Sequence, residues 1–363
     1  MPGLLTMFRE QRRKFFRKNR FKPWYRKCNH FLTKRRQIDS IIFTFCGDVS
    51  NAKRRQLRWD MIWSLFRYGA YFNEYFLFGF GGMPHSYRNS FITEAIRLSY
   101  YPRMNNPGNS DLLENKYRAY LKFKPLYRRE LLCIRKKEPV TEAVVSRFMD
   151  FSARHHEYIV KPLYAAFGKG VHRDSLVHYG SARDALESYH QQDTVLEEII
   201  TQDERMASIH PQSVNTLRIP TVIVCGIDGR QEVQLFHPSL RVGRGGSVID
   251  NLSAGGISAL IDPETGAVYT DGADKKGHRY PLHPDTGIKF QGFCIPDWEL
   301  AVTMVKNAAL TLPDNHYCGW DLALSAESGW CIVEANSTAQ MGAMQLVTKT
   351  GRKHELEALI SRM

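Results

Sequence analysis

The stretch HYCGWDLALSAESGWCIVEANSTAQ, residues 316–340, decides how this chain is read. Alternation over 320–324 and an apolar run over 329–333 predict two short strands, with Ala326-Glu327-Ser328-Gly329 as the turn between them. Asp321 lies on the first strand, and Glu334 and Asn336 lie on the second. A period of two puts Glu334 and Asn336 on one face, and a hairpin brings Asp321 beside them. Two carboxylates and an amide oxygen form a cluster of hard oxygen donors, which suits Mg²⁺ carrying nucleotide phosphates. The plainer alternative is a pair of solvated strand ends, and the D-x12-E-x-N spacing alone does not choose between them.

The segments upstream add to the first reading. IVKPLYAAFGKG, residues 159–170, opens as a strand over 158–163 with Lys161 inside its apolar run. Burying an ammonium without a partner is costly, and a phosphate would supply the partner. Gly168-Lys169-Gly170 follows, where glycines let backbone N–H groups turn toward an anion. This is not a Walker A loop, because G-x-x-x-x-G-K-[ST] is absent. TVLEEII, residues 194–200, is a further strand, with Glu197 and Glu198 on opposite faces. Arg218 interrupts the apolar strand 215–224; it serves either a phosphate, which a guanidinium holds as a fork, or a buried ion pair. In HPSLRVGRGGSVIDNLSAGGI, residues 237–257, Arg241 and Arg244 flank Gly243, and further glycine pairs follow. That composition marks either a loop shaped by close approach to a ligand or a mobile surface loop.

Taken in order, these segments resemble the ATP-grasp superfamily: a strand lysine, a glycine-rich loop, a glutamate-bearing strand, then an Asp and a Glu-x-Asn. SVNTLRIPTVIV (213–224), RVGRGGSVIDNLSAGGISALIDPETG (241–266) and GWDLALSAESGWCIVEAN (319–336) are similar to its sugar-transfer-associated group. The resemblance covers roughly residues 60–350 and implies a role for each residue. Asn115-Lys116 matches a pair whose lysine contacts phosphate, and Lys161 would contact phosphate as well. Gly168, Lys169 and Gly170 would belong to the phosphate-covering loop. Glu197 or Glu198 would face the nucleotide, and the strand end at Ile200 would read the adenine edge through its backbone. Arg218 and Arg241 would approach the transferred phosphate. Asp321, Glu334 and Asn336 would hold magnesium. The ribose-binding carboxylate has no clear match; Gln202, Asp203 and Glu204 stay open.

Charge is unevenly placed. Of 50 Lys+Arg and 37 Asp+Glu, residues 1–60 hold 17 and 4, so the net +13 belongs to this segment and the remainder is neutral. In FREQRRKFFRKNRFKPWYRKCNHFLTKRR, residues 8–36, cations interleave with aromatics. That pattern suits an anionic membrane surface ahead of nucleic acid, with a solvated basic helix as the plain reading. The most apolar stretch, residues 61–80, carries Arg67, Asn73 and Glu74 and reads as a buried helix, too polar to span a bilayer. The 7 cysteines show no C-x-x-C pair, which points to free thiols in a reducing compartment. A loop over 105–110 and a helix over 111–123, capped by Ser110 and carrying Lys116, complete the outline.

The expectation is an α+β chain: a basic, aromatic-rich helical region over 1–105, an ATP-grasp N-lobe over 106–200 and a C-lobe with the magnesium site over 201–363, clasping ATP. The resemblance implies an ATP- and Mg²⁺-dependent ligase that joins a carboxylate to an amine through an acyl-phosphate. Its substrates would be sugar-linked, as in polysaccharide or glycan biosynthesis. A kinase-like transfer to a hydroxyl and a non-catalytic nucleotide-binding protein at a membrane are the alternatives. The expected location is cytoplasmic, or peripheral at the inner membrane face.

Overall fold

The computed structural model describes residue 19, residues 21–164 and residues 170–363. The basic stretch up to Lys18, together with Arg20, and Gly168 and Lys169 lie outside the described residues. The chain divides into two compact units. One comprises the chain up to Asn106 with Val224–Glu232 and Gln340–Met363; the other comprises Pro107–Ile223 and Val233–Ala339.

The first unit is helical. Its central helix, Asn51–Tyr68, starts where the Ser50 side chain accepts the Lys53 N–H and stops at Gly69, which has φ +74°. A side chain at Gly69 would meet Thr93 Oγ1 at 3.0 Å, so both space and backbone conformation call for glycine there. The helix expected over 61–80 is therefore two, with Phe72–Leu77 forming the second. Leu57, Met61 and Leu65 recur at helical spacing and pack with Phe72, Phe78, Phe80 and Phe91 in a buried cluster. The Gln345 amide bridges the backbone N–H and C=O of Ile92 at 2.8 and 3.0 Å, tying the C-terminal segment in. Among the described residues no helix is long and apolar enough to cross a membrane.

The second unit is built on antiparallel sheet. The strands of the chain are β1 (Leu131–Ile134), β2 (Tyr158–Pro162), β3 (His172–Asp174), β4 (Thr194–Glu198), β5 (Thr216–Cys225), β6 (Gln231–Leu235), β7 (Ser239–Val242), β8 (Ile257–Leu260), β9 (Gly272–Ala273), β10 (Arg279–Tyr280), β11 (Tyr317–Ser325) and β12 (Gly329–Asn336). A four-stranded sheet runs β1-β4-β2-β3, and the larger runs β10-β9-β8-β7-β5-β11-β12, with β6 paired to β5. Phe148 and Phe151 of the helix Glu142–Arg154 and Leu186 of Ala182–Tyr189 share one buried cluster with Tyr158 and Leu196 of the small sheet. Trp298, Ala301 and Val305 of the helix Trp298–Leu310 share another with Ile219, Trp320 and Leu322 of the large one.

Two local expectations change. The stretch read as a loop before residue 111 already belongs to a helix, Pro107–Glu114; proline presets the φ of a first helical turn. A second helix, Lys116–Lys122, follows after Asn115, whose side chain accepts the Arg118 N–H at 3.0 Å, so Ser110 caps neither.

Candidate active site

The hairpin quoted first forms as β11 and β12. All nine residues of β11 are buried, because the strand lies between β5 and β12 rather than at an edge. In the β11–β12 register Asp321 stands opposite Glu334 and Gly319 opposite Asn336. The register shifts immediately after Asp321, so that Leu322 faces Ile332. Such a bulge re-aims side chains locally, and here both Val333 and Glu334 line the same cavity.

One row of the sheet brings four polar side chains together. Ser239 faces Arg218, Arg218 faces Asp321, and Asp321 faces Glu334 across β7, β5, β11 and β12. Directly opposed residues share a face, so the four side chains stand together. Arg241 lies two residues beyond Ser239 on β7 and joins that face. Arg218 grips Asp321 as a fork, Nε to Oδ1 at 2.5 Å and Nη2 to Oδ2 at 2.8 Å. Arg241 Nη1 reaches Oδ1 at 3.2 Å. Burial pushes the Asp321 carboxyl up, but Arg218 and Arg241 outweigh it and hold it below the ordinary aspartate range. Arg241 is pushed the other way, first by burial and then by the neighbouring Arg218. A guanidinium does not discharge, and Asp321, Asp250 and Glu334 are the carboxylates that counter the shift. Gly319 makes the packing of Arg218 practicable: a Cβ there would stand 3.2 Å from Arg218 Cδ and 2.3 Å from Ala339 Cβ.

The small sheet supplies the opposite wall. Lys161 on β2 faces Val195 on β4, and Glu197 lies two residues further along β4. The Lys161 ammonium donates to Glu197 Oε2, while Arg129 Nη2 donates to Oε1 at 3.1 Å. Glu197 is driven up by burial, yet Lys161 and Arg129 bring it down to about 2. Glu198, on the other face of β4, accepts the Glu130 N–H at 2.7 Å. Lys116 opens its helix behind the Asn115 cap and donates to Glu334 Oε1 at 3.0 Å.

These walls enclose a cavity of about 600 Å³ lined by Lys116, Lys161, Glu197, Glu198, Ile200, Arg241, Asp321 and Glu334 among others. Arg218 stands behind Asp321. Asn336, half-buried at the end of β12, is not among the lining residues, nor is Gly170. A Cβ on Gly170, at φ +75°, would meet Pro162 Cγ at 2.9 Å, so glycine is needed there whatever the loop binds. The three residues left open for ribose stay outside the lining: the Gln202 amide donates to Ser213 O, Asp203 accepts from Arg205, and Glu204 starts a short helix.

Sequence reasoning missed Arg129, whose guanidinium is buried against Glu197 and donates to Ile332 O at 2.6 Å. Nothing in Arg128-Arg129 separates the two arginines by type. It also left Asp250 without a role; this half-buried carboxylate lines the cavity and accepts from both the hydroxyl and the N–H of Thr216.

Among solved structures, the chain is similar to the ATP-grasp ligase PsnB complexed with minimal precursor, at 14% identity over 74% of this chain and 68% of that one, TM-score 0.43. It is similar to D-alanyl-alanine synthetase A from Vibrio cholerae at 13% identity over 71% and 67%, TM-score 0.43, and to the D-cycloserine synthetase DcsG at 13% over 71% and 73%, TM-score 0.40. No curated protein matches the sequence. The family model described as "Sugar-transfer associated ATP-grasp" matches residues 95–360, which contain both sheets and every cavity residue named above. The chain belongs to the sugar-transfer associated ATP-grasp family and has its α+β fold.

Proposed function

We propose that this protein is an ATP- and magnesium-dependent ligase that joins a carboxylate to an amine through an acyl-phosphate, with lobes 106–200 and 201–363 closing on ATP. The observation that carries the reading is the facing pair Asp321 and Glu334 in the same cavity as Lys161 and Arg241. Three cavity cations now rest on protein carboxylates: Lys161 on Glu197, Lys116 on Glu334, Arg241 on Asp321. Phosphate oxygens are alternative partners for all three, so nucleotide binding exchanges one anion for another rather than burying a bare charge. The donor set of Asp321 and Glu334, extended by the amide of Asn336 on the same strand face, fits magnesium, which when bound neutralises phosphate charge. The substrate carboxylate attacks the γ-phosphorus and ADP leaves. The amine then attacks the acyl carbon, expelling inorganic phosphate and giving up a proton. Lys161, Arg241 and Arg218 stabilise the charge transferred in the first step, and no side-chain nucleophile is required. Lys116, Gly170 and the strand end at Ile200 serve nucleotide binding, with Glu197 and Glu198 flanking it; Gly168 and Lys169 complete the covering loop.

The family's association with sugar transfer points to a sugar-linked carboxylate or amine as substrate, in polysaccharide or glycan biosynthesis. The test is incubation with MgATP, candidate sugar acids and hydroxylamine. ADP release together with a hydroxamate supports the ligase. ADP release with a phosphorylated hydroxyl and no hydroxamate replaces it with the kinase-like reading.

A second element of the proposal is peripheral binding to an anionic membrane. It rests on Trp59, Trp63 and Phe66, exposed at helical spacing on one face of Asn51–Tyr68, with Arg55, Arg58 and Arg67 on the same helix. Exposed rings beside cations fit the headgroup layer. Trp59→Ser with Trp63→Ser should abolish sedimentation with phosphatidylserine vesicles while leaving the melting temperature unchanged. Equal sedimentation of both proteins discards the idea.

A further inference from the structure

A second cluster in the sheet-built unit, outside the cavity, has a different chemistry. His210 and His283 are buried, Asp285 is partly exposed, and one donor atom from each lies within 4.8 Å of the others. His210 Nε2 lies 3.0 Å from Ser247 O, and His283 Nε2 lies 2.8 Å from Gly243 O. A carbonyl oxygen can only accept, so both Nε2 atoms carry a proton, and in the neutral ring each Nδ1 keeps its lone pair. His210 Nδ1 is fully buried without a hydrogen-bond partner. It faces Asp285 Oδ2 at 3.5 Å, too long for a hydrogen bond. His283 Nδ1 accepts the Asp285 N–H across a weak 3.3 Å. An imidazole whose far N–H is pinned to a backbone carbonyl is the arrangement found around metal-ligating histidines.

We propose that His210 Nδ1, His283 Nδ1 and Asp285 Oδ2 bind a zinc-type divalent ion, with water completing the coordination. Two imidazoles and a carboxylate suit zinc and are poor ligands for magnesium alone. Bonds of about 2.1 Å in a tetrahedral site put neighbouring donors about 3.4 Å apart, close to the His210–Asp285 separation. Coordination would satisfy the orphaned Nδ1 and replace the weak bond at His283. The frame is already held: Thr286 Oγ1 donates to Ile209 O at 2.8 Å, fastening the two ligand segments together. The role follows from what else these side chains hold. His283 takes Gly243 O, Asp285 Oδ2 accepts the Gly245 N–H at 2.6 Å, and His210 takes Ser247 O. All three grip the glycine-rich loop that joins Arg241 to Asp250, both of which line the cavity. Gly243 cannot carry a side chain, since a Cβ would stand 2.8 Å from His210 Cδ2. A metal here clamps that loop without touching the nucleotide.

Full-length protein stripped with EDTA, incubated with zinc in magnesium buffer and desalted should retain stoichiometric zinc by elemental analysis. Cobalt in its place should show the visible absorption of a tetrahedral site, and zinc should slow amide exchange over residues 243–247. Asp285→Asn keeps an acceptor for the Gly245 N–H and sits at the surface, so it should fold yet bind zinc at least ~100-fold more weakly, exceeding the usual cost of losing an outer partner. His210→Gln should do the same, and Glu334→Gln should bind zinc like the wild type. Wild-type protein that loses all zinc on desalting overturns the proposal. So does equal retention by Asp285→Asn and His210→Gln, or loss of zinc from Glu334→Gln, which would assign the metal to the cavity carboxylates instead.

Discussion

On the small sheet Glu197 answers two cations, Lys161 and Arg129, and its side chain is 6% exposed; on the large sheet Glu334 answers Lys116 and is 34% exposed. The same residue type lines the same cavity under different constraints. Glu197 is enclosed, and removing its charge strands two cations, one of them buried. Glu334 opens toward solvent, and removing its charge leaves one ammonium that water can partly reach. A buried ion pair is costly to break one side at a time, whereas an exposed pair contributes little. The difference separates a carboxylate that holds the wall from one that, under the proposed function, exchanges its partner for a ligand.

The largest expected effect is therefore Glu197→Gln. It should cost about 3–5 kcal/mol in urea unfolding at pH 7, the range for breaking one side of a buried pair. The pH dependence follows from the depressed carboxyl, which goes from the ordinary 4.5 to about 2 on folding. Its contribution is present in full above the unfolded value and is lost as pH falls through the folded one. The gap between wild type and variant should therefore narrow between about pH 4.5 and about pH 2. A gap that stays constant over that window would remove the distinction between the two glutamates.

Lys161→Met comes next. Arg129 still answers Glu197, so the cost should be about 1–3 kcal/mol, that of a buried acceptor losing one partner. MgATP should raise the melting temperature of the wild type, because a ligand of the native state must, and this shift should vanish in the variant. A full shift in Lys161→Met would leave Lys161 as a partner of Glu197 and no more.

Much of this wall was legible in the sequence, for identifiable reasons. An ammonium within Ile159-Val160-Lys161-Pro162 violates the apolar pattern of a buried strand, and so does Arg218 within its own strand. Such violations mark partners before the partners are known. The period of two placed Glu334 and Asn336 on one face. What stayed hidden depends on register and on long-range pairing. The bulge after Asp321 and the row running from Ser239 to Glu334 have no local signal, because sheet register is set by neighbours distant in sequence. Arg129 meets Glu197 only once β1 and β4 pair. The break at Asn115 was readable in principle, since Asn is a strong N-cap, but continuous periodicity on both sides concealed it.

Glu334→Gln sharpens the comparison from the other side. Two facing carboxylates should repel, and on that ground alone the variant would be expected to gain stability. The structure places Arg218, Arg241 and Lys116 around the pair, so the repulsion is already offset and the variant loses a partner for Lys116 instead. The expected change is a loss below ~1 kcal/mol, screened by solvent. Magnesium-dependent stabilisation by a non-hydrolysable ATP analogue should fall sharply at the same time. A large loss of stability with that dependence intact would make Glu334 a structural residue like Glu197.

Asp250 gives the smallest effect, with the opposite sign. Burial is the chief influence on its carboxyl and pushes it above the ordinary aspartate range, and Arg241 only partly counters this. A carboxylate whose folded value is raised binds its proton more tightly in the native state, so it lowers stability as pH climbs from the unfolded value through the folded one. Both bonds from Thr216 end on a single oxygen, Oδ2, and an asparagine amide oxygen can accept them in its place. Asp250→Asn should therefore match or exceed the wild type at pH 7 by ~0.5 kcal/mol, within the range of a mild substitution. The advantage should shrink on acidification, when the aspartate takes up its proton, whereas the deficit of Glu197→Gln shrinks over the same change because a benefit is lost. Urea unfolding of both variants at neutral and acid pH makes the comparison directly. A loss above ~2 kcal/mol in Asp250→Asn at pH 7 would show that its charge holds the glycine-rich loop, and would place Asp250 with Glu197 among the carboxylates that maintain the wall.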